Sequence, residues 1–231
     1  MSLAQGDVAN ARTCFHSLEA FSKPRGLAID SSTALKLANL AARQGELEFM
    51  AEVRKHVQAA VPVDEGAPDA WGSPFLHAEL SCALVAGTGG AAEVEEGAKA
   101  AAAYFDVVEQ FDAAGLTIEW TMLQRVGAAL GVAEAEVDEA YFELERRKQQ
   151  DSAVPIDAVN AVILGCVELK DVGRAIETFD TINSAFGLQP NARSYSAVLS
   201  CCLAADQIQG AVSFVNEIKQ VRRSSILCTD W

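Results

Sequence analysis

Residues 155–188, PIDAVNAVILGCVELKDVGRAIETFDTINSAFGL, and residues 190–220, PNARSYSAVLSCCLAADQIQGAVSFVNEIKQ, have the same layout. Each begins with a proline and continues as an apolar helical run, a short polar turn and an amphipathic helical run. Helix pairs that recur with a period near 35 residues are typical of an α-solenoid, in which each hairpin buries its apolar face against the next. The sequence therefore predicts an all-α fold, an α-solenoid of antiparallel helix hairpins.

Small and aromatic residues recur at matching places in the second helix of each stretch. Ala175 corresponds to Ala211, and Phe179 corresponds approximately to Phe214. A small side chain at the same place in consecutive hairpins predicts a position where two helices approach closely. We therefore expect both alanines to be buried between helices.

Composition divides the chain into five segments, two of which stand out from the helical pattern. Residues 61–73 are rich in proline, glycine and acidic residues, which is typical of a linker. Residues Gly87–Gly97 are rich in glycine and glutamate, and we expect them to form an exposed loop. The predicted segments are helical repeats at 1–60, the linker at 61–73, divergent acidic repeats at 74–150, two well-matched repeats at 151–220 and a tail at 221–231.

The formal net charge of −14 is concentrated in the middle of the chain. Residues 61–145 contain two Lys or Arg against 17 Asp or Glu, whereas the flanking segments are close to neutral. This segment repels polyanions. It is either a solvated acidic face or a docking surface for a basic protein, to which Glu93, Glu95, Glu96 and a turn at 134–139 would contribute.

No motif for catalysis, cofactor binding or metal binding is visible. The six cysteines form no CxxC pair, and Cys166, Cys201 and Cys202 lie inside apolar helical runs, which predicts small core residues in a reducing compartment. We find neither a secretory signal peptide nor an uninterrupted apolar run of about 18 residues. The sequence therefore predicts a binding protein and not an enzyme, with no cofactor and no membrane span.

The junction between the two repeats resembles that of pentatricopeptide repeats. The family pattern ends a hairpin with glycine, a hydrophobic residue, any residue, proline and Asn or Asp, followed by an aromatic and a small polar residue. Here the corresponding residues are GLQPN at 187–191 and then Tyr195-Ser196. Tetratricopeptide repeats have a similar period, but their Trp/Gly/Tyr signature is absent. The resemblance covers residues 155–220.

This resemblance implies single-stranded RNA as a partner, with about one nucleotide contacted per repeat. The family reads a base with a polar residue of the first helix and the last residue of the repeat. Carried over, Asn160 and Asn191 form one such pair, which resembles a pyrimidine reader. Ser196 holds the base-reading position of the next repeat, but the closing position of that repeat falls near Ile226, which is apolar. In the 26–60 repeat the base-reading position falls at Leu35, which is also apolar. The alternative for Asn160 is a surface polar residue without a role.

Two functions remain open at this point. By resemblance, the chain acts in RNA metabolism in a mitochondrion or plastid, although no targeting segment is visible. Alternatively, it is a scaffold subunit of a larger organellar assembly that docks a basic protein through its acidic middle. DNA is not an expected partner for either function.

The resemblance also implies a base-reading position in the 116–150 repeat. It falls at Gln124 or Arg125.

Overall fold

The computed structural model describes residues 8–25, 29–60, 72–87 and 94–216. Within these residues the secondary structure is helical, with no β-strand, as predicted. Packing of the backbone divides the chain into two compact units, Met1–Met122 and Leu123–Trp231. The five sequence segments remain a prediction, because the boundary between the units falls inside the segment 74–150.

The first unit consists of helices packed as hairpins. Helix α2 packs against α3 and also against α4, and α4 packs against α5. A short 3₁₀ turn, Lys23–Arg25, follows the first helix. The helices are α1 Val8–Ser22, α2 Ser31–Gln44, α3 Leu47–Ala60, α4 Gly72–Gly87 and α5 Val94–Ala113.

Local signals set the ends of α2. Asp30 is the N-cap, and its carboxylate accepts the backbone N–H of Thr33 at 3.0 Å. Gly45 ends the helix with φ +68°, a left-handed conformation that glycine adopts without steric cost. A Cβ at Gly45 would also lie 2.9 Å from the backbone nitrogen of Ala86, so the residue must be small for α4 to approach.

The second unit repeats the hairpin arrangement. Helix α8 packs against α7, α9 and α10, and α9 also packs against α10. Helix α6 begins at the boundary between the units. The helices are α6 Trp120–Leu130, α7 Glu134–Gln149, α8 Ile156–Leu169, α9 Val172–Ser184, α10 Ala192–Ala204 and α11, described over residues 208–216.

Helix α8 lies at the centre of the second unit, and every residue from Ala158 to Cys166 is buried. The thiol of Cys201 in α10 donates a hydrogen bond to the carbonyl oxygen of Cys166 at 3.3 Å, across a sequence separation of 35 residues. Burial raises the pKa of Cys166 and of Cys201 to about 12. These thiols, with Cys82 and Cys202, are therefore free core residues, as predicted, whereas Cys14 is exposed.

The matched alanines and aromatic residues occupy contacts in the second unit. Ala175 is fully buried and Ala211 is 9% exposed. The rings of Phe179 and Phe214 make an edge-to-face contact with centroids 5.3 Å apart. Residues at matching places in the sequence therefore lie against the neighbouring hairpin.

The predicted loop at Gly87–Gly97 is wrong at Gly87, which ends helix α4, and over residues 94–97. Helix α5 begins at Val94, so the backbone of Glu95 and Glu96 is helical. The alanine-rich run that follows favours a helix strongly, and acidic residues are favourable in a first turn because of the helix dipole. Glu93 lies outside the described residues.

One further prediction needs correction. The acidic turn at 134–139 is instead the start of helix α7, whose first turn contains Glu134 and Glu136. Helix α6 begins at Trp120, and the residues just before it lie outside the helix and bury Ile118.

Candidate nucleic-acid interface

The candidate base-reading residues of the second unit lie on three helices. Gln124 in α6, Asn160 in α8 and Ser196 in α10 follow one another at intervals of 36 residues. Gln124 and Ser196 are exposed, whereas Asn160 is 0% exposed. Asn160 is therefore not a surface residue, and this alternative from the sequence is wrong.

The amide of Asn160 has one partner and one orphaned atom. Its Nδ2 donates a hydrogen bond to Oδ1 of Asp157, one turn earlier in α8, at 3.2 Å. Its Oδ1 is buried and has no hydrogen-bond partner among the described residues. A buried acceptor without a donor costs about 1–3 kcal/mol, so this group is a good target for an incoming N–H.

Asp157 also forms an ion pair with the next hairpin. Its Oδ2 accepts a hydrogen bond from Nη1 of Arg193 in α10 at 2.8 Å, across a separation of 36 residues. Both side chains are partly buried, with 24% of Arg193 and 18% of Asp157 exposed. Asp157 therefore links the Asn160 amide to a cation on the neighbouring hairpin.

Asn191 lies at the other end of this group. It is the N-cap of α10, and its Oδ1 accepts the backbone N–H groups of Arg193 at 2.9 Å and Ser194 at 3.1 Å. The Ser194 hydroxyl in turn accepts the backbone N–H of Asn191, which completes a capping box. Asn191 thus has a structural role, and its side-chain oxygen is already engaged.

The structure connects the two predicted reading residues indirectly. Asn160 bonds to Asp157, Asp157 pairs with Arg193, and the backbone of Arg193 bonds to Asn191. Ser196 is exposed, and its hydroxyl donates to the carbonyl oxygen of Ala192 at 2.8 Å. We call the four connected residues, Asn160, Asp157, Arg193 and Asn191, the Asn160 network.

Sequence reasoning missed Asp157 and Arg193. A signal for them exists, because residues of opposite charge stand at the same place in consecutive repeats, each three residues before a candidate base-reading position. In a stack of hairpins such residues become neighbours on adjacent helices. Comparing charges across the repeat period would have found this pair.

The acidic residues proposed for partner docking are not gathered into one site by the structure. Glu93 lies outside the described residues, and Glu95 and Glu96 are known only by their helical backbone in α5. In α7, Asp138 pairs with Arg174 of α9 at 2.7 Å. Part of the acidic charge is therefore neutralised within the second unit.

In the described part of the chain, no group of three or more His, Cys, Asp or Glu side chains is placed to hold a metal ion. None of the described helices combines the length and the apolar content that crossing a bilayer requires.

Stacked helix hairpins with a row of polar residues on the first helices define a helical-repeat protein. The family model described as "Pentatricopeptide repeat-containing protein" matches residues 95–182. A mitochondrial pentatricopeptide repeat-containing protein of Arabidopsis thaliana is 45% identical over 64 residues, which are 27% of this chain and 10% of the relative. Both matches are therefore to pentatricopeptide-repeat proteins, over part of this chain.

Two solved structures are also similar. Both are of the pentatricopeptide repeat protein PPR10 in complex with an 18-nucleotide psaJ RNA element, one of them with three cysteines replaced by serine. Each is 13% identical, covers 94% of this chain and 34% of the solved chain, and gives a TM-score of 0.37. The matched parts thus span about a tenth of the length of the Arabidopsis relative and about a third of PPR10.

Proposed function

We propose that this chain binds single-stranded RNA through the first helices of its second unit and acts in organellar RNA metabolism. The similarity to pentatricopeptide-repeat proteins supports the partner class. The observation that carries the proposal is the Asn160 amide, a candidate base-reading residue whose buried Oδ1 has no hydrogen-bond partner among the described residues. A nucleobase N–H would supply the missing donor.

The electrostatics of this region imply weak binding. Arg193 is paired with Asp157, so the Asn160 network adds no net positive charge. The whole chain has a formal net charge of −14. Few cations are available to displace counterions from RNA, and the affinity should therefore depend only weakly on salt. One base contact is worth about 1–3 kcal/mol, so we expect a short contact and not a long specific complex.

Fluorescence anisotropy with short labelled RNA strands tests the proposal. We expect pyrimidine strands to bind more tightly than purine strands at low salt, and Asn160→Ala to remove that preference. Asn183→Ala is the matched control, because Asn183 is an exposed asparagine of α9. The proposal is wrong if no strand binds at low salt, or if both variants behave like the wild type.

The proposal of organellar action rests on the Arabidopsis relative, which is described as mitochondrial. A plastid location is the alternative that the family resemblance leaves open. Expression of the full-length gene product with a C-terminal tag, followed by fractionation, separates the two. Recovery in the cytosolic fraction alone would contradict this part of the proposal.

A scaffold function is the second candidate, and the segregation of charge favours it. The segment 61–145 carries 17 acidic against two basic residues. Such a field speeds association with a basic protein and makes it sensitive to salt. We expect Glu93→Gln, Glu95→Gln and Glu96→Gln together to slow association with basic partners recovered by co-purification.

The control for this experiment removes the same charge from a near-neutral segment. Glu168→Gln, Glu177→Gln and Asp180→Asn together change three exposed acidic residues of α8 and α9. Equal association rates and salt dependence for the two triple variants would show that residues 93–96 have no special part in docking.

A further inference from the structure

The orientation of the Asn160 amide is set by the chemistry of its neighbour. An asparagine amide can present either its NH₂ donor or its carbonyl acceptor in a given direction. An ionised carboxylate only accepts hydrogen bonds. Because the Asp157 carboxylate faces Asn160 at 3.2 Å, the NH₂ group of Asn160 must point toward it. The carbonyl oxygen is thereby left to face the other way.

Arg193 keeps Asp157 in this position. The guanidinium of Arg193 bonds to Oδ2 of Asp157 at 2.8 Å, which leaves Oδ1 for the Asn160 amide. Each carboxylate oxygen therefore has its own donor. Turning the Asn160 amide over would place its carbonyl oxygen against the carboxylate, with repulsion in place of a hydrogen bond.

The unpartnered Oδ1 of Asn160 is an acceptor, so a base must present a hydrogen-bond donor to it. The centre of the pairing edge is an N–H donor, N3–H, in uracil, whereas it is an acceptor, N3, in cytosine. An Asn160 locked as an acceptor at that point gains a hydrogen bond with uracil and meets a second acceptor in cytosine. The loss of one matched donor in a buried site weakens binding substantially.

We infer that Asp157 is a positioning residue that fixes Asn160 as a hydrogen-bond acceptor, so that the site selects uracil over cytosine. The inference rests on the proposed RNA binding. It adds to that proposal a residue that does not contact the base and the identity of the preferred pyrimidine.

The test measures binding of short homopolymers of uridine, of cytidine and of N3-methyluridine, which lacks the N3–H donor. For the wild type we expect uridine to bind about tenfold more tightly than the other two, the ratio that about 1.4 kcal/mol produces. Equal binding of uridine and N3-methyluridine, or a preference for cytidine, overturns the inference. These measurements need no variant and do not depend on how a substitution folds.

Asp157→Asn then tests the positioning residue itself. A new amide at position 157 can donate to Oδ1 of Asn160, which frees the Asn160 NH₂ group to face the base. We expect the preference to shift from uridine toward cytidine, with the total affinity changed less than the ratio. An equal loss for both homopolymers would show that Asp157 only supports the fold.

Asp138→Asn is the matched control. Asp138 pairs with Arg174 at 2.7 Å across the same 36-residue separation, but on α7 and α9. The Asp138→Asn variant should leave the ratio of uridine to cytidine binding unchanged. A shift in that ratio equal to the shift in Asp157→Asn overturns the inference. Failure of the wild type to bind any strand would instead refute the proposed function, so the two failures are distinguishable.

Discussion

Gly131 lies so close to Gly165 that a Cβ at position 131 would be 2.3 Å from the carbonyl oxygen of Gly165. Four residues earlier, a Cβ at Gly127 would be 2.4 Å from the Cβ of Leu164. The end of α6 therefore approaches the backbone of α8 directly, with no side chain between them. Glycine is required here by contact and not by backbone conformation.

We expect Gly131→Ala to lower the free energy of unfolding by about 1–3 kcal/mol, because the backbone of α8 cannot move away as a flexible side chain could. Gly173→Ala is the control. A Cβ at Gly173 meets only Asp171 Oδ1 at 3.5 Å, an ordinary contact, so alanine should stabilise this helical position by up to about 1 kcal/mol. Urea denaturation of both variants should give opposite signs, and the same sign for both contradicts the close approach.

Ala175→Phe should overpack the contact between hairpins. Ala175 is fully buried in α9, and a ring there must displace neighbouring side chains at a cost of about 1–3 kcal/mol. Ala185→Phe places the same ring at the exposed end of that helix and should change stability little. Equal midpoints of thermal unfolding for the two variants would count against the stacking of α9 on its neighbours.

Thiol labelling should separate the cysteines by burial. Cys14 is exposed, whereas burial raises the pKa of Cys82 to about 11 and of Cys166 and Cys201 to about 12. At neutral pH only the exposed thiol should react with iodoacetamide in the folded protein, which mass spectrometry of peptides from a Cys228→Ser variant would show. Native labelling of Cys166 or Cys201 as fast as Cys14 would contradict their burial.

The same pKa shifts imply a direction for stability against pH. A buried thiol favours its protonated form, so the folded state binds the proton more tightly than the unfolded chain does. This contribution is present below the ordinary thiol pKa of about 8.5 and is lost as the pH rises from there toward 12. Denaturation at neutral and alkaline pH should show stability falling above about pH 8.5, and falling less in Cys201→Ala.

Asn191→Ala separates a capping role from a role in RNA binding. Loss of the cap should destabilise the protein by about 1 kcal/mol. Asp30→Ala removes the equivalent side-chain cap of α2 in the first unit and should cost a similar amount. If Asn191 also supports base reading, only Asn191→Ala should weaken RNA binding under conditions where both variants are folded. Equal RNA affinity in the two variants would limit Asn191 to capping.

Features that depend on neighbouring residues follow from the sequence alone. The N-cap at Asp30 and the left-handed glycines Gly45 and Gly115 obey such local rules. The repeat period likewise indicated which alanines would be buried. The start of α5 was missed, because glycine and glutamate suggested a loop where the following alanines extend a helix.

The candidate site could be predicted only in part. Asn160 was found by resemblance, but its burial depends on how the surrounding helices pack, and a single repeat does not contain that information. The pairing of Asp157 with Arg193 joins two hairpins and becomes visible only when the repeats are superposed. Residues that act across hairpins are thus the ones that single-repeat reasoning misses.

The complete burial of Asn160 has a kinetic consequence. A base cannot touch Asn160 until the side chains that cover it move aside, so productive binding must wait for a local opening of the free protein. The observed association rate should then rise with RNA concentration and level off at the rate of that opening, which stopped-flow measurements would reveal. The same shielding lowers the apparent affinity, because only the fraction of molecules with an uncovered Asn160 can bind. A variant in which Asn160 stays uncovered would bind RNA faster without any new contact.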